Sequence, residues 1–409
     1  MALLLILCFA MSRNRRAISW KTVIWGLVLQ LAFALIILKT TPGRWFFGGV
    51  NRLILNLLSY ERVGAEFVFG VLAIPAPEAG SIGFIFAVQV LPTIIFLSSL
   101  MAILYHLRVV QYVVAGLSRV MRQFLGTSGA ETFAVTANIF LGYIESPLLI
   151  RPYLRNMTRS ELVTVMTAGM ATVAGGVMVA FVGMLKPYFP DIGGHLLAAS
   201  VMSVPAAIAV AKILIPETET PVTVGHLRVR AESDYMNVID AASSGATAAV
   251  TLVLNIAATL IAFMALLTLL NSLVGWIFAL WGVEGVTIQY LLSYFFAPVA
   301  WLIGVPWQDC LFAGQLFGEK IFLNEFVAFI ELKDYLEAEP EALTTRGMII
   351  ISYALAGFAN FLSLGAMIGG MSALVPERKR DIARDGFWAM IGGILACFLT
   401  GAIAGILLT

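Results

Sequence analysis

The sequence predicts an all-α, polytopic membrane protein, and three observations carry that reading. Of its 409 residues, 60% are hydrophobic and only 12% are charged, against roughly 25% charged in soluble globular domains. The mean hydropathy is +0.94. Apolar runs close to the ~20 residues a helix needs to cross the hydrocarbon recur from end to end: Thr22 to Leu38, Phe84 to Leu104, Leu252 to Leu270 and Phe387 to Leu408. Little is left between them for a soluble domain.

Taken in order, MALLLILCFAM precedes its positive charges, the wrong order for a secretory signal, and reads as a short or truncated first helix. The basic cluster SRNRRAISWK then marks a cytoplasmic turn, as does PERKRDIARD late in the chain, because Lys and Arg accumulate on the untranslocated side. Residues 1–124 are expected to form N-terminal transmembrane and interfacial helices. Residues 125–214 would form a first re-entrant hairpin and the helices after it, and 215–302 a polar connection with further helices. A second re-entrant hairpin and the last two helices would fill 303–409. The connection is IPETETPVTVGHLRVRAESDYMNVID (Ile215 to Asp240), whose prolines and mixed charges fit a loop or an amphipathic surface helix.

The halves on either side of it resemble each other. IFLGYIESPLLIRPYL (Ile139 to Leu154) aligns without gaps on IFLNEFVAFIELKDYL (Ile321 to Leu336), and each is followed by a polar-dotted apolar span, MTAGMATVAGGVMVAFVGM and GFANFLSLGAMIGGM. The apolar runs flanking Gly142 to Pro147 are each too short to span a bilayer, so two half-helices meeting at a turn are expected. Pro147 would begin the second half-helix, and Glu145 would lie near its N-terminus, where the helix dipole favours negative charge. Two interrupted segments in corresponding positions indicate a transporter fold with internal repeats. Whether those repeats are inverted does not follow from the sequence.

An ionised glutamate at membrane depth costs at least ~2.5–3.5 kcal/mol, so Glu145 and Glu325 are candidates to face a wet cavity, with an interfacial loop as the plainer alternative. Lys320 stands close enough in sequence to offset one carboxylate. Asn360 and Ser363 share a helical face at i and i+3, with Phe358 half a turn earlier. Amide, hydroxyl and aromatic together suit a polar, ring-bearing solute, and equally suit interhelical hydrogen bonds. Asn138 and Thr172 could offer neutral oxygens to a hard cation beside a broken helix tip, although a membrane threonine commonly bonds back to its own helix. Gly365 and Gly369, and Gly401 and Gly405, give GxxxG spacings that ordinarily mean close packing.

At these residues the chain resembles the concentrative nucleoside transporter family, through AISWKTV, FAVQVLPTIIFLSSLMAILYHL, MTAGMATVAGG, NVIDAASSGA, NEFVAF, GFANF and PERKRDIARDG in that order. The resemblance implies a homotrimer in the cell inner membrane, with an elevator-like movement of a substrate-bearing part against a scaffold. It implies symport of a nucleoside with sodium, protons being the alternative coupling ion. Glu325, Asn360 and Ser363, with Phe358 nearby, would hold the sugar. Gly142 to Pro147 would face the base, where the family pattern GQTEAP becomes GYIESP. Tyr143 and Ile144 therefore replace a Gln and a Thr, and Glu145 is kept. Val177 would form an apolar wall. Asn138 and Thr172, with the carbonyls of Leu141 and Val173, would hold sodium. The departure at Tyr143 and Ile144 leaves room for a modified nucleoside or another sugar-bearing metabolite as substrate.

Other classes fare worse. A net charge of +1 with no basic face speaks against nucleic acid as a partner. Cys8, Cys310 and Cys397 show no paired spacing, and His106, His195 and His226 show no metal-ligand spacing. An intramembrane enzyme working through Glu145 and Glu325 would lack HExxH or any nucleophile placed with a histidine. A channel does not explain the broken-helix repeats.

Overall fold

The computed structural model describes residues 1–75, 78, 80–223 and 235–407. His226 and the middle of the polar connection lie outside these. Among the described residues the chain is helical throughout, with no strand. The N-terminal part runs α1 (Ala2–Ala10), α2 (Trp20–Lys39), α3 (Thr41–Phe69), α4 (Phe86–Gln89), α5 (Leu91–His106) and α6 (Val109–Leu125). The first hairpin is α7 (Gly129–Ala137), α8 (Glu145–Leu148) and α9 (Arg151–Leu154), followed by α10 (Arg159–Ala171), α11 (Gly175–Leu185) and α12 (Ile192–Leu214). After the connection come α13 (Val238–Ala279) and α14 (Ile288–Ile303), then the second hairpin, α15 (Cys310–Phe322) and α16 (Glu325–Ala338). The chain continues through α17 (Thr345–Leu355), α18 (Phe361–Leu374) and α19 (Lys379–Leu407).

The four apolar runs read from the sequence largely coincide with α2, α4–α5, α13 and α19. Among the described residues, six helical stretches are long and apolar enough to cross a membrane, two of them Arg159–Leu185 and Ile192–Leu214. The protein is thus a multi-pass membrane protein. α13 differs from its neighbours: its 42 residues make a helix about 63 Å long, twice the hydrocarbon thickness, so it must run steeply tilted or project. Only Ala241, Gly245, Ala249 and Leu267 on it are buried. Gly245 lets it approach α5 until a Cβ there would meet Ser98 O at 2.7 Å, and Ser99 Oγ donates to Ala242 O at 2.9 Å. α10, α11, α12 and most of α19 are buried instead, forming a central body.

The two spans after the hairpins, each read as a single polar-dotted helix, are both broken at mid-depth. The first breaks at Thr172–Ala174, between α10 and α11, and the second at Ala356–Asn360, between α17 and α18. The breaks converge on α19, where Cys397 Sγ contacts Ala171 O at 3.6 Å and Ala356 O at 3.5 Å.

The handedness of the repeat follows from which end each hairpin enters. α12 serves as a yardstick: Arg13 N donates to its terminal Leu214 O at 3.0 Å, while Asn51 Nδ2 donates to Pro190 O, just before its start, at 3.0 Å. The base of the first hairpin lies at the Leu214 end, since Glu131 pairs with Lys212 at 2.6 Å. Arg378 donates to Met157 O there at 2.7 Å, and Arg159 bonds Asp385 at the start of α19 at 2.8 Å. The base of the second hairpin is at the other end of α19: Gly405 faces Ile303 O, and Arg346 donates to Gly304 O at 3.2 Å. The hairpins enter from opposite ends and point their tips at each other, so the repeats are inverted. Both basic clusters read from the sequence sit together at the Leu214 end, Arg13 stacking on Trp388 at 4.7 Å.

The gapless repeat alignment does not survive. It pairs Glu145 with Val327, yet Glu145 and Glu325 are each the first residue of a half-helix, a match that needs a two-residue shift. Pro147 is the third residue of its half-helix, not the first. Of the two GxxxG pairs, Gly401 and Gly405 do pack, against Ile350. Among the described residues, Gly365 and Gly369 face nothing within 4 Å. No packing role within the chain falls to that second pair.

Candidate binding site between the hairpins

The tips enclose a cavity of about 430 Å³ lined on one side by Tyr143, Ile144 and Glu145 and on the other by Glu325, Phe358 and Ser363, with Val177 also in its lining. Seven of the eight residues singled out for solute binding therefore line one space. The eighth, Asn360, stands directly behind it. Asn360 is fully buried, and its Nδ2 donates to Glu325 Oε2 at 2.7 Å.

The i, i+3 reading of Asn360 and Ser363 needs correcting. Asn360 is the N-cap of α18, not a residue of its interior, and its Oδ1 accepts from Ser363 N at 2.7 Å. Capping satisfies one orphan N–H of the helix start and leaves the amide nitrogen free for Glu325. Asn324 does the same for α16, accepting from Val327 N at 2.9 Å, so Glu325 sits on a helix N-terminus. One cap thus holds the carboxylate directly, and the other fixes the helix start that carries it. Lys320 does not offset it by an ion pair: its ammonium donates to Ala354 O at 2.7 Å.

The first hairpin is built differently. After α7 the chain unwinds for seven residues before Glu145 starts α8. Glu145 folds its carboxylate over Gly142, where any Cβ would collide with it, and a Cβ at Gly169 would meet Tyr143 Cβ at 2.6 Å. Glycines thus let the unwound tip lie flat on the α10–α11 break, where Gly175 N donates to Phe140 O at 3.2 Å. The Tyr143 ring packs edge-on to Phe358 with centroids 5.4 Å apart, and Ile144 packs over Gly370 of α18 while remaining 39% exposed. Neither brings a buried amide to the cavity.

Asn138 caps the end of α7 and is fully buried; its Oδ1 accepts from Ser146 Oγ at 2.8 Å, and its Nδ2 has no partner. A half-turn of that amide lets nitrogen donate to Ser146 and leaves the oxygen as the free atom. Thr172 Oγ donates to Ala168 O at 2.9 Å, the back-bond that is the plainer reading, yet its lone pairs remain available. Leu141 is at the unwound tip and Val173 in the facing break. An amide oxygen, a hydroxyl and two backbone carbonyls at broken helix ends form a neutral, all-oxygen set, the chemistry a hard monovalent cation accepts.

Sequence reasoning missed the opposite wall. Leu252, Asn255, Ile256, Ala258 and Thr259 of α13 line the same cavity. The available signal was an amide in an apolar run with a hydroxyl at i+4, on one helical face.

Two family models described as Na+ dependent nucleoside transporter match the chain, the C-terminal one over residues 195–405 and the N-terminal one over residues 1–72. A model described as nucleoside recognition matches residues 87–188. Solute carrier family 28 member 3 of Mus musculus is 41% identical over 415 residues, covering 98% of this chain and 57% of that protein. Sodium/nucleoside cotransporter 1 of Rattus norvegicus is 40% identical over 421 residues, covering 98% and 62%. The chain thus spans about three fifths of the length of the curated relatives it matches. Among solved structures, CNTnw in an inward-facing substrate-bound state superposes with a TM-score of 0.91 at 38% identity, covering 100% of this chain and 96% of that one. A doubly substituted CNTnw in an outward-facing state gives 0.92 at 39%, with the same coverage. The relatives named are transporters and cotransporters.

Proposed function

The chain belongs to the concentrative, Na+-dependent nucleoside transporter family, and we propose that it imports a nucleoside by sodium-driven symport. The observation that carries this reading is the shared cavity between opposed hairpin tips, with Glu325, backed by Asn360, on one wall and Tyr143 and Ile144 on the other. Glu325, with Ser363, grips the ribose hydroxyls, because a carboxylate held on a helix N-terminus by a cap is a rigid acceptor pair. Tyr143, Ile144 and Glu145 meet the base, and Phe358 and Val177 close on its faces.

Sodium brings a positive charge that joins the hairpin tip to the α10–α11 break. Asn138, Thr172 and the carbonyls of Leu141 and Val173 are the residues that would hold it, so the base-binding tip is ordered only when the ion is present. That linkage makes the solute site good only with sodium bound, which is what coupling requires. The central body with both tips would travel as one unit past α13 and its neighbours, whose long apolar faces suit a stationary scaffold in a homotrimer of the inner membrane.

A modified or unusual nucleoside is the second reading, favoured by Tyr143 and Ile144. Ile144 has no hydrogen bond to give, and an unpaired base edge costs ~1–3 kcal/mol. Uptake of labelled uridine, adenosine and modified nucleosides into proteoliposomes, with sodium and proton gradients imposed separately, tests both readings. If no nucleoside accumulates under either gradient, both fail.

A further inference from the structure

Glu319 on α15 takes no part in the site described above. It is 1% exposed, one and a half turns before the tip. Its Oε1 accepts from Gln315 Nε2 at 3.0 Å, and the same nitrogen donates to Glu331 Oε1 on α16 at 3.3 Å. A glutamine amide has two N–H groups, and both are engaged. Glu319 Oε2 is buried with no hydrogen-bond partner. The two carboxylates are one donor short.

Among the described residues, no neighbouring element supplies it. Lys320 is committed to Ala354 O, and Lys333 pairs with Asp334 at 3.0 Å and with Glu337. α14 packs against α15 and carries no acid or base except the phenols of Tyr290 and Tyr294, which bond each other at 3.3 Å. Asp309, just before α15, bonds Thr344; Arg346 of α17 donates to Gly304 O, and Tyr353 of α17 meets His195 Nδ1 at 3.2 Å; α18 has no titratable residue. Along the hairpin the acids descend from exposed Asp334 through half-buried Glu331 to buried Glu319. Asp334 and Glu331 are one turn apart on α16.

We propose that Glu319, with Gln315 and Glu331, is a proton-binding site inside the second hairpin, reached from the end opposite the basic clusters through Asp334, and that its proton is a second coupling ion. Burial and the neighbouring Glu331 carboxylate both disfavour a charge on Glu319, and a proton there supplies the missing donor. The link to transport rests on the symporter reading; the protonation does not.

Infrared difference spectra of the purified protein test the protonation directly. A protonated-carboxyl C=O band should bleach on raising pH, vanish in Glu319→Gln, and persist with a shifted midpoint in Glu331→Gln. Gln315→Met, which leaves both acids in place, should also move that midpoint. A band unchanged in Glu319→Gln, or a midpoint unmoved in Gln315→Met, overturns the site. In proteoliposomes with equal sodium on both sides, an inward proton ratio of about tenfold should raise uridine accumulation up to about tenfold for one coupled proton, each tenfold being ~1.4 kcal/mol. Glu319→Gln should lose that drive and keep sodium-driven uptake. Proton drive intact in that variant, or one fewer sodium per cycle with no pH effect, would sink the proposal. Absence of any uridine uptake would instead count against the nucleoside reading, while the infrared band still decides whether Glu319 binds a proton.

Discussion

The two hairpins occupy equivalent places in an inverted repeat and solve opposite problems. The second has long limbs, 13 and 14 residues, that meet at a two-residue turn, and its carboxylate is held by a partner amide that is itself a helix cap. The first has a 9-residue limb, an unwound tip and two 4-residue pieces, and lies flat on a neighbouring break. Rigid polar caps suit a group common to every substrate, such as a sugar. An unwound tip exposes carbonyls for an ion and leaves side-chain identity free to vary, which suits discrimination among bases.

That contrast can be broken most sharply at Glu325. Replacement by Gln removes the charged partner of Asn360, and loss of a charge-assisted bond worth about 1.5–3 kcal/mol predicts uptake of every riboside reduced by one to two orders of magnitude. Competition assays across bases check it; a strongly base-dependent loss would erase the division between the hairpins. Next in size, Thr172→Val keeps shape and deletes the hydroxyl. Sodium affinity in uptake assays should fall roughly tenfold, for one lost ligand of about 1–2 kcal/mol, with partial recovery at saturating sodium, and Thr172→Ser should behave as the parent. An unchanged sodium dependence removes Thr172 from the ion site.

The Tyr143→Gln, Ile144→Thr double change restores polar groups at the tip and should shift preference among nucleosides by about 1–3 kcal/mol while sodium dependence stays put. A sodium shift there would mean that ion and base share the same residues. The smallest effect is expected at Ser146→Ala, which deletes the bond to Asn138 and should weaken sodium binding by about 0.5–1.5 kcal/mol with base preference unaltered.

Much of this is legible before folding. The half-helix at Glu145, the polar residues Asn138, Thr172, Glu325, Asn360 and Ser363, and the apolar spans are local features, because a carboxylate or a glycine-proline break in an apolar run is costly wherever it lies. The registration of the halves is misread by two residues, since shared IFL and YL strings carry less constraint than the helix start on which each glutamate sits. Asn255 and Thr259 escape notice because an amide facing a cavity and one bonding a neighbouring helix look identical in sequence.

By itself, then, the sequence determined that the chain is helical, resides in a membrane, and interrupts two segments with carboxylates, since each follows from the cost of placing polar groups in hydrocarbon. Only the tertiary structure decided that the hairpins are inverted, that Asn360 caps a helix in order to hold Glu325, and that α13 closes the cavity. Those are relations between segments far apart in the chain. Hydropathy says nothing of which end of a bundle a segment enters, or of which distant partner a buried amide finds.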